Sequence, residues 1–235
     1  MRTMIVTGTG TGVGKTVVTA AVAALAAAGE RVVVLKPAQT GIEPGAPGDL
    51  ADVTRLTGAR IATRELARYP EPLAPATAAR RSGLPPLRVA DVAAAVADIE
   101  GSGTDLLLVE GAGGMLVRLN DDGETLADVA AALDAPAPVL VVASAGLGVL
   151  NTAALTAEAL ARRSLTHLGT VIGAYPEQPD LAERTNLADL PTVTGAPLLG
   201  VLPAGLGSAD PERFLTTARC GLHPVLGGQW VPPLP

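Results

Sequence analysis

The chain has 235 residues, 48% of them apolar but only 2% aromatic, so we expect one large domain whose core is aliphatic. Its 17 basic and 23 acidic residues give a net charge of −6, and the lack of a basic run argues against a nucleic-acid binder. No apolar stretch reaches the roughly 20 residues of a membrane span, no secretory leader is visible, and the single cysteine, Cys220, suits a reducing compartment, so we expect a cytoplasmic protein.

Short β-branched runs alternate with longer alanine-rich runs along the chain. The β-branched runs are almost continuously apolar, which is typical of a parallel sheet covered by helices on both faces. The alternation predicts a doubly wound, mostly parallel α/β fold, and the lack of a long polar linker predicts a single domain over residues 1–235. We predict strands at 4–6, 31–35, 105–109, 138–143, 168–172 and 197–201, and helices at 15–28, 50–57, 88–100, 125–133, 151–162 and 181–189.

Two segments interrupt this alternation. Residues 37–49 and 69–86 are rich in proline and glycine and are predicted to be loops. Long loops in a compact domain are more often functional than idle. The tail after Gly205 has little periodicity, and no role is assigned to it.

The first predicted strand runs into the sequence VTGTGTGVGKT, residues 6–16. Glycines at this junction let backbone N–H groups surround an anion, and the following helix adds its N-terminal dipole. Lys15 has the reach for β- and γ-phosphate oxygens, and the Thr16 hydroxyl is a suitable Mg²⁺ ligand. The pattern GxGxxG does not fit. The strict pattern GxxxxGK[ST] does not fit either, because Thr9 stands where this pattern requires glycine. We interpret the segment as a slightly longer phosphate loop rather than a glycine-rich turn without a ligand.

The second predicted strand is followed by Lys36 and the sequence PAQTG. In a doubly wound sheet, ligands bind beyond the carboxyl ends of the strands, so Lys36 is predicted to enter the same crevice as the phosphate loop. Asp49 and Asp52 then stand where a glycine-rich loop enters a helix. Either can be the helix N-cap, and Asp49 fits that position better. A cap carboxylate can also face a metal ion.

The third predicted strand ends in the sequence EGAGG, which begins with Glu110. A carboxylate that closes an apolar strand in a phosphate-loop protein acts on Mg²⁺, directly or through water. The glycines that follow permit close approach of the backbone to a substrate. The alternative is a surface glutamate before a flexible loop.

The last three predicted strands carry weaker signals. The fourth leads into a helix for which Asn151 or Thr152 is the predicted N-cap, and the N–H groups of this helix start can receive a substrate carboxylate. The segments 174–179 and 203–205 lie where a nucleotide base would rest. His167 and His223 have no partners at metal or catalytic spacing and are predicted to be structural.

Three segments, TGTGTGVGKT, KPAQTG and VEGAGG, occur in the order in which they stand in dethiobiotin synthetases. The chain resembles this family up to about Gly205. The family consists of homodimeric, ATP-dependent enzymes of the P-loop NTPase type that act in biotin biosynthesis. The resemblance therefore implies conversion of 7,8-diaminopelargonate, CO₂ and ATP to dethiobiotin, ADP and phosphate.

The resemblance also implies a role for each matched residue. It implies that Lys15 and Lys36 are catalytic and that Thr16, Asp49 and Glu110 hold Mg²⁺. The implied nucleotide contacts are Gly12, Val13, Gly14, Lys15, Thr16, Val17, Asp49, Glu110, Gly173, Pro203, Ala204 and Gly205. The implied substrate contacts are Thr11, Thr40, Gly113 and Asn151, with residues 150–152 matching a region where the partner subunit receives the substrate's carboxylate.

The chain departs from the family pattern at two positions. Gly12 stands where many members carry an acidic residue, and Gly173 stands where many carry an asparagine that binds the adenine edge. Because glycine offers no amide side chain, we predict loose discrimination among nucleotide bases. A second functional hypothesis is a regulatory P-loop ATPase that positions a protein partner. Such proteins usually carry an early second lysine in the phosphate loop, where this chain has Gly10.

Overall fold

A computed structural model describes residues 2–133, 135 and 137–232 of the chain. Within these residues, seven strands form one sheet in the order β3-β2-β4-β1-β5-β6-β7, and every neighbouring pair is parallel. The strands are β1 (Arg2–Gly8), β2 (Val32–Thr40), β3 (Ala62–Tyr69), β4 (Leu106–Gly114), β5 (Val139–Ala143), β6 (His167–Tyr175) and β7 (Leu198–Pro203). The predicted doubly wound α/β class is confirmed, while a single domain over all of residues 1–235 stays a prediction.

Helices connect the strands in the way that a parallel sheet requires. In the described part of the chain they are α1 (Lys15–Ala26), α2 (Asp49–Leu56), α3 (Pro75–Ser82), α4 (Val89–Gly101), α5 (Leu126–Ala132), α6 (Val149–Ala161), α7 (Leu181–Thr194) and α8 (Pro211–Gly221). None of these helices combines the length and apolarity that crossing a membrane requires.

The sheet is buried by aliphatic side chains on both faces. Successive residues of β1 alternate between the faces, because side chains of a strand point to opposite sides. Met4 and Val6 join a cluster that includes residues of α1, α2 and α8, while Ile5 joins a cluster with residues of α3, α4 and α5. A smaller cluster lies among β5, β6, β7, α6 and α7. The predicted aliphatic core is therefore confirmed, with Tyr69 of β3 and Phe214 of α8 as buried aromatic exceptions.

One strand and two α-helices, β3, α3 and α8, lie in segments for which the sequence predicted a loop or no regular secondary structure. The edge strand β3 was missed because Arg64, Glu65 and Arg68 make it polar, which an edge strand tolerates since one side faces solvent. Helix α3 lies inside the predicted loop 69–86, and α8 lies in the tail. The predicted loop 37–49 also begins too early, because β2 continues to Thr40.

Two predicted helix starts are shifted. Helix α6 begins at Val149 after Gly148, whose φ of 94° places it in the left-handed region, so neither Asn151 nor Thr152 is the N-cap. Helix α2 begins at Asp49 itself, and Gly48 occupies the N-cap position predicted for Asp49. In both cases a glycine makes the turn into the helix, and the polar side chain is thereby left free for other contacts.

Candidate active site

The carboxyl ends of β2, β4 and β1 lie side by side, since β4 pairs with both of the other strands. The phosphate loop follows β1, Lys36 lies in β2, and Glu110 lies in β4. A cleft of about 700 Å³ opens at this edge of the sheet. Ten of the predicted site residues line it: Thr11, Gly12, Gly14, Lys15, Thr16, Val17, Lys36, Thr40, Asp49 and Gly113.

The phosphate loop ends at a helix start that is open to an anion. Gly14 is the N-cap of α1 with a φ of 94°, and no side chain accepts a hydrogen bond from the first N–H groups of the helix. Helix N-termini with free N–H groups bind phosphate through these donors and the helix dipole. Lys15 folds back over the loop and donates from Nζ to the Gly10 carbonyl at 2.7 Å. The loop therefore presents backbone donors and one ammonium group to the cleft.

An ion cluster is formed by Lys36, Asp49 and Thr16, which line the cleft, and by Glu110, which is buried and does not line it. The Lys36 Nζ atom is 2.6 Å from Asp49 Oδ2 and 2.7 Å from Glu110 Oε1. The Thr16 hydroxyl donates to the same Glu110 oxygen at 3.0 Å. Lys36 and Glu110 are almost fully buried, with exposures of 2% and 1%. Three separate segments of the chain, β2, the start of α2 and the end of β4, thus meet in one ionic contact.

The two lysines of the cleft have opposite electrostatic surroundings. Burial lowers the pKa of Lys36, but the Glu110 and Asp49 carboxylates outweigh it, so the net pKa is raised above its usual value. Burial, followed by the charge of Lys36, lowers the pKa of Lys15. Lys36 therefore keeps its proton firmly, whereas Lys15 is the first of the two to lose it as the pH rises. Lysine occurs at no other position of the sequence.

The ion cluster offers the oxygen ligands that Mg²⁺ prefers. Asp49 and Glu110 supply carboxylates, and Thr16 supplies a hydroxyl at the helix start. The second carboxylate oxygen of Glu110, Oε2, is buried without a hydrogen-bond partner among the described residues. Among the described residues, no three or more His, Cys, Asp and Glu side chains are grouped so that they could hold a metal ion by themselves. The chemistry of Thr16, Asp49 and Glu110 therefore fits a hard cation.

Of the two aspartates left open by the sequence, Asp49 lies at the cleft. Asp52 is instead paired with Arg55 at 2.9 Å on the outer side of α2, and both side chains are well exposed. Asp49 lies one helical turn earlier, where the start of α2 faces Lys36 of β2.

The predicted base-binding residues lie apart from the cleft. Gly173 is buried against the phosphate loop, and a Cβ atom there would lie 2.2 Å from the Val13 carbonyl oxygen. Ala204 donates its N–H to the Tyr175 carbonyl at 2.7 Å, which joins the ends of β6 and β7. Gly173, Pro203, Ala204 and Gly205 are thus grouped beside the loop, on the side of β1 opposite to Lys36.

Asn151 is exposed on α6 and does not line the cleft. Leu147 and Leu155, four residues before and after it, are 92% and 57% exposed. Leu147 precedes α6, whereas Leu155 lies on the same face of α6 as Asn151, because residues four apart on a helix are neighbours. The protein therefore presents an apolar surface around Asn151.

Amino-acid sequence comparison places the chain among known proteins. A family model described as an AAA domain matches residues 2–211. The ATP-dependent dethiobiotin synthetase BioD of Saccharopolyspora erythraea is 63% identical over 230 residues, which cover 98% of this chain and 99% of that protein. The protein of the same name from Streptomyces avermitilis is 61% identical over 231 residues, which cover 98% of this chain and 95% of that protein. The chain belongs to the ATP-dependent dethiobiotin synthetase family.

Membership of the dethiobiotin synthetase family confirms the resemblance carried by the three motifs. The fold is also shared with a more distant protein. The MinD cell division protein of Aquifex aeolicus matches with a TM-score of 0.60 over 100% of both chains, at 15% sequence identity. At that identity the likeness shows the fold alone, and it agrees with the predicted doubly wound α/β class.

Several residues of this dethiobiotin synthetase family member line the cleft without having been predicted. Pro72, Leu73, Ala74 and Pro75 form an apolar wall that includes the start of α3, and Gln39 lies beside Thr40 at the end of β2. The proline-rich composition of residues 69–86 was the available signal for the wall. For Gln39 the signal was a polar residue at the carboxyl end of an apolar strand, the place where ligands bind in such sheets.

Proposed function

We propose that the protein catalyses the ATP-dependent conversion of 7,8-diaminopelargonate and CO₂ to dethiobiotin, ADP and phosphate. The observation that carries the proposal is the ion cluster: a buried lysine held by Asp49 and Glu110, directly beside a phosphate loop. The dethiobiotin synthetase name of relatives that are 63% and 61% identical over 98% of the chain supports the same reaction. Cys220 is free and exposed, which suits the proposed cytoplasmic location.

The reaction needs positioning and electrostatic stabilisation rather than a nucleophilic side chain. One amine of the substrate adds to CO₂ and loses a proton, which gives a carbamate. A carbamate oxygen then attacks the γ-phosphorus of ATP, ADP leaves, and a carbamic–phosphoric anhydride remains. The second amine attacks the carbonyl carbon, loses a proton and expels phosphate, closing the cyclic urea. Negative charge develops on the transferred phosphoryl oxygens, so fixed positive charge beside them lowers the barrier.

The phosphate end of ATP is proposed to bind at the start of α1. Backbone N–H groups of residues 12–17 and the Lys15 ammonium would contact the phosphates, which fits the free helix start. Lys36 would lie beside the transferred group, and its raised pKa keeps it charged. Thr16, Asp49 and Glu110 would hold Mg²⁺. When bound there, Mg²⁺ supplies charge neutralisation at the phosphate oxygens.

The diamine is proposed to lie between the phosphate loop and the apolar wall. Thr11, Thr40 and Gly113 line this part of the cleft and would contact its polar groups. The wall of residues 72–75 would pack against its methylene chain, since such contacts remove apolar surface from water. Gly173 and residues 203–205 would face the nucleotide base mainly with backbone atoms.

A homodimer is part of the proposal, with Asn151 of one subunit completing the site of the other. The exposed leucines around Asn151 support an interface there, and a closed two-fold dimer is the simplest arrangement. Leu155→Arg should convert the protein to monomers and abolish turnover. Leu84→Arg, at a leucine that is 42% exposed away from this surface, is the matched control. Sedimentation that finds an active monomer at assay concentration would exclude the dimer.

The test of the reaction is mass spectrometry of the products. Purified protein is incubated with 7,8-diaminopelargonate, bicarbonate, Mg²⁺ and ATP, and dethiobiotin, ADP and phosphate should form in equal amounts. Omission of the diamine should suppress ADP formation. Hydrolysis of ATP that proceeds equally well without the diamine, with no dethiobiotin formed, would refute the proposal.

A further inference from the structure

Gln39 links strand β2 to the residue that begins helix α2. Its side chain is buried, with 4% exposure, three residues after Lys36 on the same strand. Gln39 Oε1 accepts the Asp49 backbone N–H at 3.0 Å, and Nε2 donates to the Thr40 carbonyl at 3.3 Å. Both ends of this amide are therefore used, and the carboxylate of Asp49 is tied through its backbone to the strand that carries Lys36.

This contact supplies an acceptor for the first N–H group of α2. The first N–H groups of a helix have no partner within the helix. Gly48, the N-cap residue, has no side chain to supply one. A Cβ atom at position 48 would lie 2.8 Å from Gln39 Oε1, so a capping side chain there would collide with Gln39. The chain thus takes its acceptor for Asp49 from a neighbouring strand instead of from the helix itself.

The loop before Asp49 is held from a second strand. Arg68 of β3 is the register partner of Gln39. Arg68 donates from Nη1 to the Ala46 carbonyl at 2.6 Å, and Glu65 holds its guanidinium at 2.7 Å. Two adjacent strands therefore fix the glycine-rich connection, and Gln39 acts at the end where Asp49 lies.

We propose that Gln39 is a positioning residue that sets where the Asp49 carboxylate lies relative to Lys36 and thereby sets the Mg²⁺ dependence of the enzyme. The inference rests on the proposed function. Asp49 is only partly buried, with 36% of its side chain exposed, and it follows a surface loop. Lys36 lies in the paired region of the sheet. Outer groups that orient metal-binding residues typically change affinity or activity by about 10- to 100-fold when removed.

The hydrogen bond itself is tested without metal or nucleotide. Residue-resolved NMR measures the hydrogen exchange of the Asp49 amide in Gln39→Met, which keeps the length of the side chain but removes its oxygen. We expect exchange to accelerate at least about tenfold, the scale of one lost hydrogen bond. Gln39→Glu retains an acceptor oxygen and should keep the amide protected. Unchanged exchange of Asp49 in Gln39→Met would refute the proposal.

The functional consequence is tested by Mg²⁺ titration of turnover. Gln39→Met should need about 10- to 100-fold more Mg²⁺ for half-maximal rate. Thr57→Val is the matched control, because it removes one buried hydrogen bond, from Oγ1 to the Val53 carbonyl, at the other end of α2. If Gln39→Met shifts the Mg²⁺ requirement no more than Thr57→Val does, Gln39 is merely structural. If the unmodified protein makes no dethiobiotin while the Asp49 amide behaves as expected, the proposed function fails and the hydrogen-bond contact stands.

Discussion

The two ends of the proposed nucleotide-binding region are built differently. At the phosphate end, Lys15, Lys36, Asp49 and Glu110 bring four charges together, with Lys36 and Glu110 almost fully buried. At the base end, residues 203–205 are exposed and held to β6 by a backbone hydrogen bond. With fixed charges at one end and backbone at the other, we expect affinity and chemistry to depend mainly on the phosphates, because few side chains would contact the base.

Lys15→Ala should produce the largest effect. Losing a preorganised charge beside a developing anion typically costs about 10²- to 10³-fold in rate. Since Lys15 contacts the protein through the Gly10 carbonyl, the melting temperature should change little. The measurements are kcat/KM for ATP and thermal unfolding, with Arg81→Ala as a control that removes an exposed cation paired with Glu71. Turnover of Lys15→Ala close to that of the unmodified protein would contradict the assignment of the phosphate end.

A comparison of Asp49→Asn with Asp52→Asn tests whether the ion cluster, rather than the exposed surface of α2, determines the Mg²⁺ requirement. Asp49→Asn should raise the Mg²⁺ requirement by at least about tenfold, because it weakens an oxygen ligand and the contact with Lys36. Asp52→Asn breaks a solvent-exposed pair with Arg55 and should behave like the unmodified protein. Mg²⁺ titrations of both variants decide the matter. The reverse pattern would show that the wrong aspartate has been assigned.

Gly173→Ala should distort the phosphate loop and lower turnover, rather than change which nucleotide base is preferred. The added Cβ atom would meet the Val13 carbonyl at 2.2 Å, and such overpacking typically costs about 1–3 kcal/mol. Turnover should therefore fall by the same factor with ATP and CTP, together with lower stability in urea. Ala174→Ser, at the exposed residue next in the chain, is the control. A change in the ATP-to-CTP ratio for Gly173→Ala alone would contradict this interpretation.

We expect the smallest effect on kcat/KM when the base of the nucleoside triphosphate is varied. The values of kcat/KM for ATP, CTP, GTP and UTP should differ by no more than about tenfold, because a site rejects wrong partners strongly only where polar groups are left unpaired. A preference for ATP of roughly 10³ or more would show that an edge-binding contact exists. Residues 174–178 and 203–205 would then be the segments to examine.

The sequence was informative wherever a structural need restricts the residue type. Apolar runs located six strands of the parallel sheet, and the glycines before Lys15 located the phosphate loop. The polar edge strand β3 gave no such signal, because a strand with one solvent-facing side needs no continuous apolar run. Helix α8 did carry a sequence signal for its start, which was overlooked. Asp210 is the N-cap and accepts from the Arg213 N–H, and Pro211 stands at the first helical position.

The residues of the candidate site divide in the same way, into those with a local sequence signal and those without one. Of the residues that were assigned roles, eight inside the three motifs line one cleft together with Val17 and Asp49. Gln39 lies inside the second motif but was assigned no role, because its contact with Asp49 spans ten residues and depends on how a loop returns to the strand. The exclusion of a side chain at Gly173 was also missed, since it arises from the close approach of β6 to the phosphate loop. Long-range packing of this kind is not encoded in any local pattern.

The confinement of lysine to positions 15 and 36 makes the cleft chemically addressable. An amine-reactive label can react with these two side chains and the terminal amine, whereas the arginine guanidinium groups do not react with it. Lys15, with its lowered pKa, supplies the larger neutral and nucleophilic fraction, and Lys36 is protonated and more deeply buried. Of the two lysines, Lys15 should therefore be labelled first, and its labelling should slow when a triphosphate covers it. Peptide mass spectrometry of a briefly labelled sample would then report how much of the protein carries nucleotide.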